Sequence, residues 1–365
     1  MTSIRFGASP ERTRAAILGR NLQCFGFVVA TAVLFTPPAA LGAQEKEPGD
    51  GGTPVRHISI GNYPRVDGLR LNFRDRDLEL VRGVNVTIWT PRDEPYEGTV
   101  RGLALGLPMS GARNISGASV GAVGVGASEN LHGLNIGGIG AGAGSTLSGI
   151  SLGGVGVGAG GDVRGIAVGG VGVGAGGSLR GIAVGGIGAG TGGSARGALF
   201  GGIGVGAGGE LRGVAVAGVG VGAGGDLTGV AVSGVGTGSG GDMTGLSIAG
   251  VGVGSGGTLR GVALAGVGVG APRIVGGVSA PLVGADRMRG VVVAPILFRT
   301  ERGGRLTGMS VSTVNAVRGH QHGLAIGIVN YAESLNGVQL GVINIVRQNP
   351  KAYRVLPVLN FGRAR

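Results

Sequence analysis

Cysteine is almost missing from this chain. The single one, Cys24, sits in an N-terminal leader, so the remainder holds neither a disulfide nor a thiolate metal site. Proline is sparse, at 14 in 365 residues, and the 87 glycines do not recur at every third position. These two shortages exclude a collagen helix. Charged residues make up only 14% against 42% hydrophobic ones, too apolar a balance for a disordered glycine linker. A conventional globular enzyme rarely tolerates so much glycine, because each one loses extra backbone entropy on folding. Geometry must therefore require it.

Residues 1–43 read as an export signal. A basic stretch with Arg5, Arg12, Arg14 and Arg20 precedes an apolar one from Phe25 to about Phe35, and Gly42-Ala43 precede the polar Gln44. The apolar run is short for a membrane span and is broken by Pro37 and Pro38, so cleavage after Ala43 is expected and an uncleaved anchor is the alternative. The net charge of +12 is unevenly placed. Residues 44–116 carry ten charges of each sign and residues 117–271 five of each, whereas residues 272–365 carry twelve basic and three acidic side chains. A basic quarter in an exported chain suits an anionic polysaccharide or lipid of a cell envelope, and export argues against nucleic acid. A solvated basic surface is the plainer reading.

Internal repetition decides the architecture. Gly117, Gly133, Gly149, Gly165, Gly181, Gly197, Gly213, Gly229, Gly245 and Gly261 lie 16 apart, and the unit Gly165–Arg180 is repeated almost letter for letter from Gly181. Degraded copies begin at Gly68, Gly83 and Gly102, then at Gly277, Gly290, Gly308, Gly323 and Gly337, with a last one at Tyr353, for about 19 units in all. The expected organisation is a signal at 1–43, a linker and cap at 44–67, degenerate repeats at 68–116, regular repeats at 117–271, and degenerate basic repeats with a C-terminal cap at 272–365. The eighth position is Gly172 and its equivalents in the middle, but Asn315, Asn330, Asn344 and Asn360 near the end. Gly and Asn tolerate positive φ best, so this register is expected to be left-handed, with stacked Asn side chains able to form a ladder.

The apolar spacing has period two, which suits strands, and glycine at every second place disfavours helix. Ile166 and Val168 share one face; Val171, Val173 and Ala175 share a face of opposite parity. Two short strands per unit, joined by a corner at Gly169-Gly170, satisfy that shift, with a second turn at Gly176-Gly177-Ser178 and Leu179 pointing inward. Ala167, Ala183, Ala215, Ala231, Ser247 and Ala263 are then expected outside, as smooth, weakly polar surfaces. The larger side chains, Phe73, Ile88, Trp89, Phe298, Tyr331, Tyr353 and Phe361, gather toward the ends, where the charged stretch Arg74–Arg82 and the basic quarter can cap open edges. The fold class is all-β. A parallel solenoid, whose period equals one turn, is favoured; an antiparallel barrel is the alternative, disfavoured because strands of five or six residues are too short to cross a bilayer.

Chemistry-bearing constellations are few. The many Gly-x-Gly-x-x-Gly matches arise from repetition alone. Asp162, Ser178, Ser194, Glu210, Asp226, Asp242 and Thr258 occupy one register, too few carboxylates for a Ca²⁺ site, and suit turn starts instead. Two residues later come Arg164, Arg180, Arg196, Arg212 and Arg260, a candidate anion-binding stripe or a partly compensated edge. His320 and His322 lack a third ligand. No nucleophile–base pair, catalytic dyad, metal or cofactor site is assigned.

The units GLAIGIVN at 323–330 and GVQLGVIN at 337–344 resemble those of a bacterial family of exported surface-repeat proteins built on Gly-apolar-x-apolar-Gly-apolar-apolar-Asn. The likeness covers about 68–110 and 308–361; in the middle Gly replaces Asn. It implies an envelope or surface location and supplies no activity. The expected function is a non-enzymatic structural, adhesive or self-associating protein, with the chain itself or envelope components as partners and membrane association open. An outer-membrane barrel and a polysaccharide- or anion-binding solenoid are the alternatives.

Overall fold

The computed structural model describes residues 55–91 and 95–362; the export-signal reading and Cys24 lie outside them. Over these residues the chain winds into a parallel β-solenoid of about 17 turns of about 16 residues. Strand Val163–Gly169 pairs in parallel with Leu179–Gly185 on one side and Thr146–Gly153 on the other, every residue facing its equivalent 16 places away. Gly172–Ala175 pairs likewise with Gly188–Thr191. The parallel order overturns the barrel alternative. At about 4.8 Å per stacked strand, 17 turns span roughly 80 Å.

Each turn has three bends. Two were expected, one at Gly169-Gly170, which falls one residue later at Gly170-Val171, and one at Gly176–Ser178. The third is at the opening glycine, where Arg164, Gly165 and Ile166 are exposed in succession, as on the outside of a corner. Eighteen glycines from Gly68 to Gly337 hold this place with φ between +101° and +144°. A Cβ at Gly165 would lie 2.1 Å from the carbonyl oxygen of Gly149 in the preceding turn. Here glycine is needed twice over, for its φ and for the closeness of the neighbouring backbone.

The left-handed register is thus the first position and not the eighth. Gly172, Asn315, Asn330, Asn344 and Asn360 all lack positive φ. Nor are Gly172 and the asparagines equivalent. Gly268 pairs with Leu282 and Val269 with Val283, although Gly261 pairs with Gly276, so the turn beginning at Gly276 has one residue fewer at its corner. The turn at Gly308 shows the same shortening, with two residues between buried Ser312 and Asn315 where the middle has three between Gly169 and Val173. Asn315 therefore occupies a core position equivalent to Val173. The repeat expected from Gly277 opens instead at Gly276.

The first strand is inside out relative to expectation. Ala167, Ala183, Ala215, Ala231 and Ala263 are fully buried and Ser247 is buried with them, whereas Ile166 and Ile182 stand about two-fifths exposed. The extra bend at Gly165 sets this parity. The coil is so thin that alanine fills it, and a larger side chain must be offset nearby. Where the buried leucine of Leu179 and Leu211 becomes Ala195, the buried alanine of Ala183 and Ala215 becomes Leu199. Such volume-conserving exchanges keep the interior at native density. Val173, Ala175 and Leu179 point inward as expected, but Val171 lies on the outer corner.

The ends are closed by different means. At the N-terminal end Arg70 and Asp75 form a buried ion pair, which Asn85 joins through 3.1 Å and 3.2 Å hydrogen bonds and Asn72 through one of 3.0 Å. At the C-terminal end, Val355–Gly362 folds back antiparallel on the last turn, so the unit expected at Tyr353 is a closing strand and not another turn. Of the bulky residues assigned to the ends, Phe298 is fully buried and Phe73, Ile88, Trp89, Tyr353 and Phe361 are exposed.

Two glycines separate the demands on the backbone. Gly213 has φ +126° and a Cβ there would lie 2.1 Å from the Gly197 oxygen, whereas a Cβ at Gly222 meets nothing within 4 Å. Gly213→Ala is expected to cost about 2 kcal/mol or more and Gly222→Ala under about 0.5 kcal/mol, checked by chemical denaturation of the two variants.

Candidate interaction surfaces

The turns stack in register, so each sequence position becomes a column along the solenoid. Three columns are distinctive: one aliphatic, one charged and one of buried asparagines.

The aliphatic column runs along the corner at the seventh position. Val171, Ile187, Ile203, Val219, Val235, Val251 and Val267 are exposed by 44–53%. Their backbones form a continuous ladder, each N–H donating to the carbonyl one turn earlier at 2.7–2.9 Å. Beside it on the adjoining strand stand exposed Ile150, Ile166, Ile182, Val214 and Val262, with Leu152, Phe200 and Leu264 between. Burying alanine inside leaves these larger side chains outside, as a straight ridged apolar face. Exposed Val123 and Ile139 and half-buried Val155 extend the column to ten turns, and a strip about 15 Å wide along it covers roughly 700 Å², beyond the patches that most soluble monomers leave open. The outward glycines beyond it, such as Gly172 and Gly174, leave the next strand flat.

The charged columns lie at the opposite margin, just before the opening glycine. Arg164 faces Arg180, Arg180 faces Arg196 and Arg196 faces Arg212, while Thr228 and Thr244 lead to Arg260. The structure thus brings the candidate stripe together. Like charges about 5 Å apart in water repel by about 1 kcal/mol, and carboxylates of the neighbouring register offset this at three of the five arginines. Arg164 pairs with Asp162 and Arg212 with Glu210, both at 2.8 Å, and Arg260 with Asp242 at 2.9 Å. Arg180 and Arg196 make no ion pair among the described residues, though the charge of Arg180 reaches Asp162. Exposed pairs of this kind contribute little each.

The acidic column also holds the backbone. Asp162 Oδ1 accepts from the Ser178 N–H at 2.9 Å, Asp226 from Asp242 at 2.8 Å and Asp242 from Thr258 at 2.7 Å, each one turn on. The Ser178 N–H and then Arg164 hold the Asp162 carboxyl below its ordinary value of 3.8; for Asp242 the Thr258 N–H does most, with Arg260 adding to it.

The asparagine column is fully buried. Asn315 Nδ2 donates to Asn330 Oδ1 at 2.7 Å, and Asn330 Nδ2 to Asn344 Oδ1 at 2.8 Å. Asn344 passes the chain to the closing strand through the Leu356 carbonyl at 3.3 Å, and Asn360 returns a bond to the Asn344 carbonyl at 3.4 Å. Asn315 Oδ1 has no donor among the described residues, so the ladder stops there. These asparagines hold register inside the coil and are inaccessible to a ligand. An unpaired buried amide costs about 1–3 kcal/mol, so a slip of one turn by one residue is penalised at every rung.

Among the described residues no three His, Asp or Glu side chains converge on a metal position. His320 faces Ser334 and His322 faces Asn336 on successive turns. A shallow open depression of about 430 Å³ is lined by residues including Gly270, Pro272, Gly284, Asp286, Arg299 and Glu301. No family model, curated protein or solved structure matches the chain.

A depressed carboxyl favours the fold above its unfolded value, and that contribution disappears as the pH falls through the folded value. The double variant Asp162→Asn, Asp242→Asn is therefore expected to lower Tm slightly at pH 7 and to flatten its decline below about pH 4, followed by circular dichroism melts across pH 2–7.

Proposed function

We propose that the protein is an exported envelope or surface protein without catalytic activity, whose aliphatic face mediates self-association. The observation that carries this reading is the in-register column from Val171 to Val267 with the exposed strand beside it. Its ridges recur at the strand spacing of about 4.8 Å, and a second copy of the same face offers grooves of the same spacing. The patch of roughly 700 Å² per copy is close to what a stable standard-size interface takes from each partner. Residues 117–271 carry equal numbers of each charge, so two copies meet without net repulsion over this stretch. The basic leader and apolar stretch before Ala43 support export, and the likeness of the C-terminal units to surface-repeat proteins supports the envelope.

Sedimentation velocity of the mature chain at micromolar concentration is expected to show dimers or larger species. The combined Ile187→Lys, Ile203→Lys, Val219→Lys variant should sediment as a folded monomer. A wild-type chain that stays monomeric and floats with lipid vesicles would replace self-association by membrane docking. Export is checked separately: N-terminal sequencing of chain recovered from the cell envelope should begin at Gln44, and recovery with Met1 intact would sink it.

A further inference from the structure

The charged columns change character past Gly261. In the middle, carboxylates of the acidic register pair with Arg164, Arg212 and Arg260, while Arg180 and Arg196 make no ion pair among the described residues. From Thr258 onward the acidic register holds arginine instead. Thr258 faces Arg273, and Arg273 faces Arg287. Gly308 stacks on Gly290, and Leu306 is buried in the register of Met288, which carries the column to Arg305 on the next turn. Gly323 stacks on Gly308 in turn and places His320 after Arg305. The neighbouring register runs from Arg260 through Val275 to Arg289.

Arg273, Arg287, Arg289 and Arg305 are all exposed, and none makes an ion pair or side-chain hydrogen bond among the described residues. The acidic side chains of this quarter are Asp286, Glu301 and Glu333. The first two line the depression beside the ladder and occupy neither of its columns. A straight run of unpaired guanidinium groups, one per turn, repels itself along its length and gains most when a chain of anions lies on it. Four of the twelve basic residues of this quarter thus lie along one edge.

We infer that the ladder Arg273–Arg287–Arg305, with Arg289 beside it, binds an extended anionic polysaccharide. One charge per sugar ring suits rungs at the strand spacing of about 4.8 Å. The depression beside the ladder, floored by the bare backbones of Gly270 and Gly284, leaves room for the rings. Other polyanions fit less well. The ladder residues alternate with buried Ile274, Met288 and Leu306, so no aromatic platform for stacked bases stands along it. Duplex phosphates follow a helical path and lipid headgroups a plane, whereas these charges follow one straight edge. Guanidinium groups pair with carboxylates in a fork geometry, so an acidic sugar is engaged by more than net charge.

The test uses the full chain, with polygalacturonate as probe and uncharged dextran as control, read by calorimetry or biolayer interferometry at 150 mM salt. Polygalacturonate should bind and dextran should not. The combined Arg273→Ser, Arg287→Ser, Arg305→Ser variant should lose at least about tenfold in affinity and show a shallower dependence on salt. Arg164→Ser, Arg212→Ser, Arg260→Ser removes the same number of cations, each of them paired with a carboxylate, and should bind within about twofold of wild type. Both triples touch only exposed side chains, and their melting curves confirm folding. Equal loss in the two variants, unaltered binding in the first, or no binding by wild type would overturn the inference. So would tighter binding to single-stranded DNA or to anionic vesicles than to polygalacturonate. The ladder is separate from the aliphatic face, so its failure leaves the sedimentation result standing, and the reverse holds equally.

Discussion

Everything in this protein follows from how closely one turn lies on the next. Stacked strands a few ångströms apart bring the opening glycine of each turn against the carbonyl of the one before, as Gly165 lies on Gly149. The bend made there fixes which side chains face in. That parity sends alanine to the interior and isoleucine and valine to the surface. The thin coil, the apolar outer face and the straight columns of charge are three results of one backbone constraint.

This constraint also explains why the usual rule of larger apolar side chains inside fails. A coil with a wide interior would bury Ile166 and expose Ala167; a narrow one does the opposite. The exchange of Leu for Ala at position 195, matched by Ala for Leu at 199, shows how little spare volume there is. Apolar area that cannot enter the core remains outside and becomes the protein's main means of meeting another surface.

The repeat period, the parallel winding, the inward Leu179 and the arginine column from Arg164 to Arg212 were legible from the sequence, because a fixed spacing of 16 maps directly onto neighbouring turns. What was not legible depends on departures from that spacing. Asn315 shares its letter position with Gly172 but shares its place in space with Val173, because a corner residue is missing. The bend at Gly165 gives no signal beyond the glycine itself, and without it the parity of Ile166 and Ala167 reads backwards. The unpaired ladder is hidden for the same reason: Arg273 and Arg287 are 14 apart and Arg287 and Arg305 are 18 apart. Only the observed stacking aligns them. The asparagine ladder was anticipated as a possibility of stacking, but its burial was not.

Because each turn touches only its neighbours and all middle turns are interchangeable, the array is modular at the level of the gene. An in-frame duplication of sixteen codons between Gly117 and Gly261 adds one turn, about 4.8 Å of length and one aliphatic ridge. The antiparallel strand Val355–Gly362 is encoded after all of them and seals the same terminal turn whatever the number inserted. Length in this molecule is therefore a heritable quantity that can change in single steps, while both end structures stay constant.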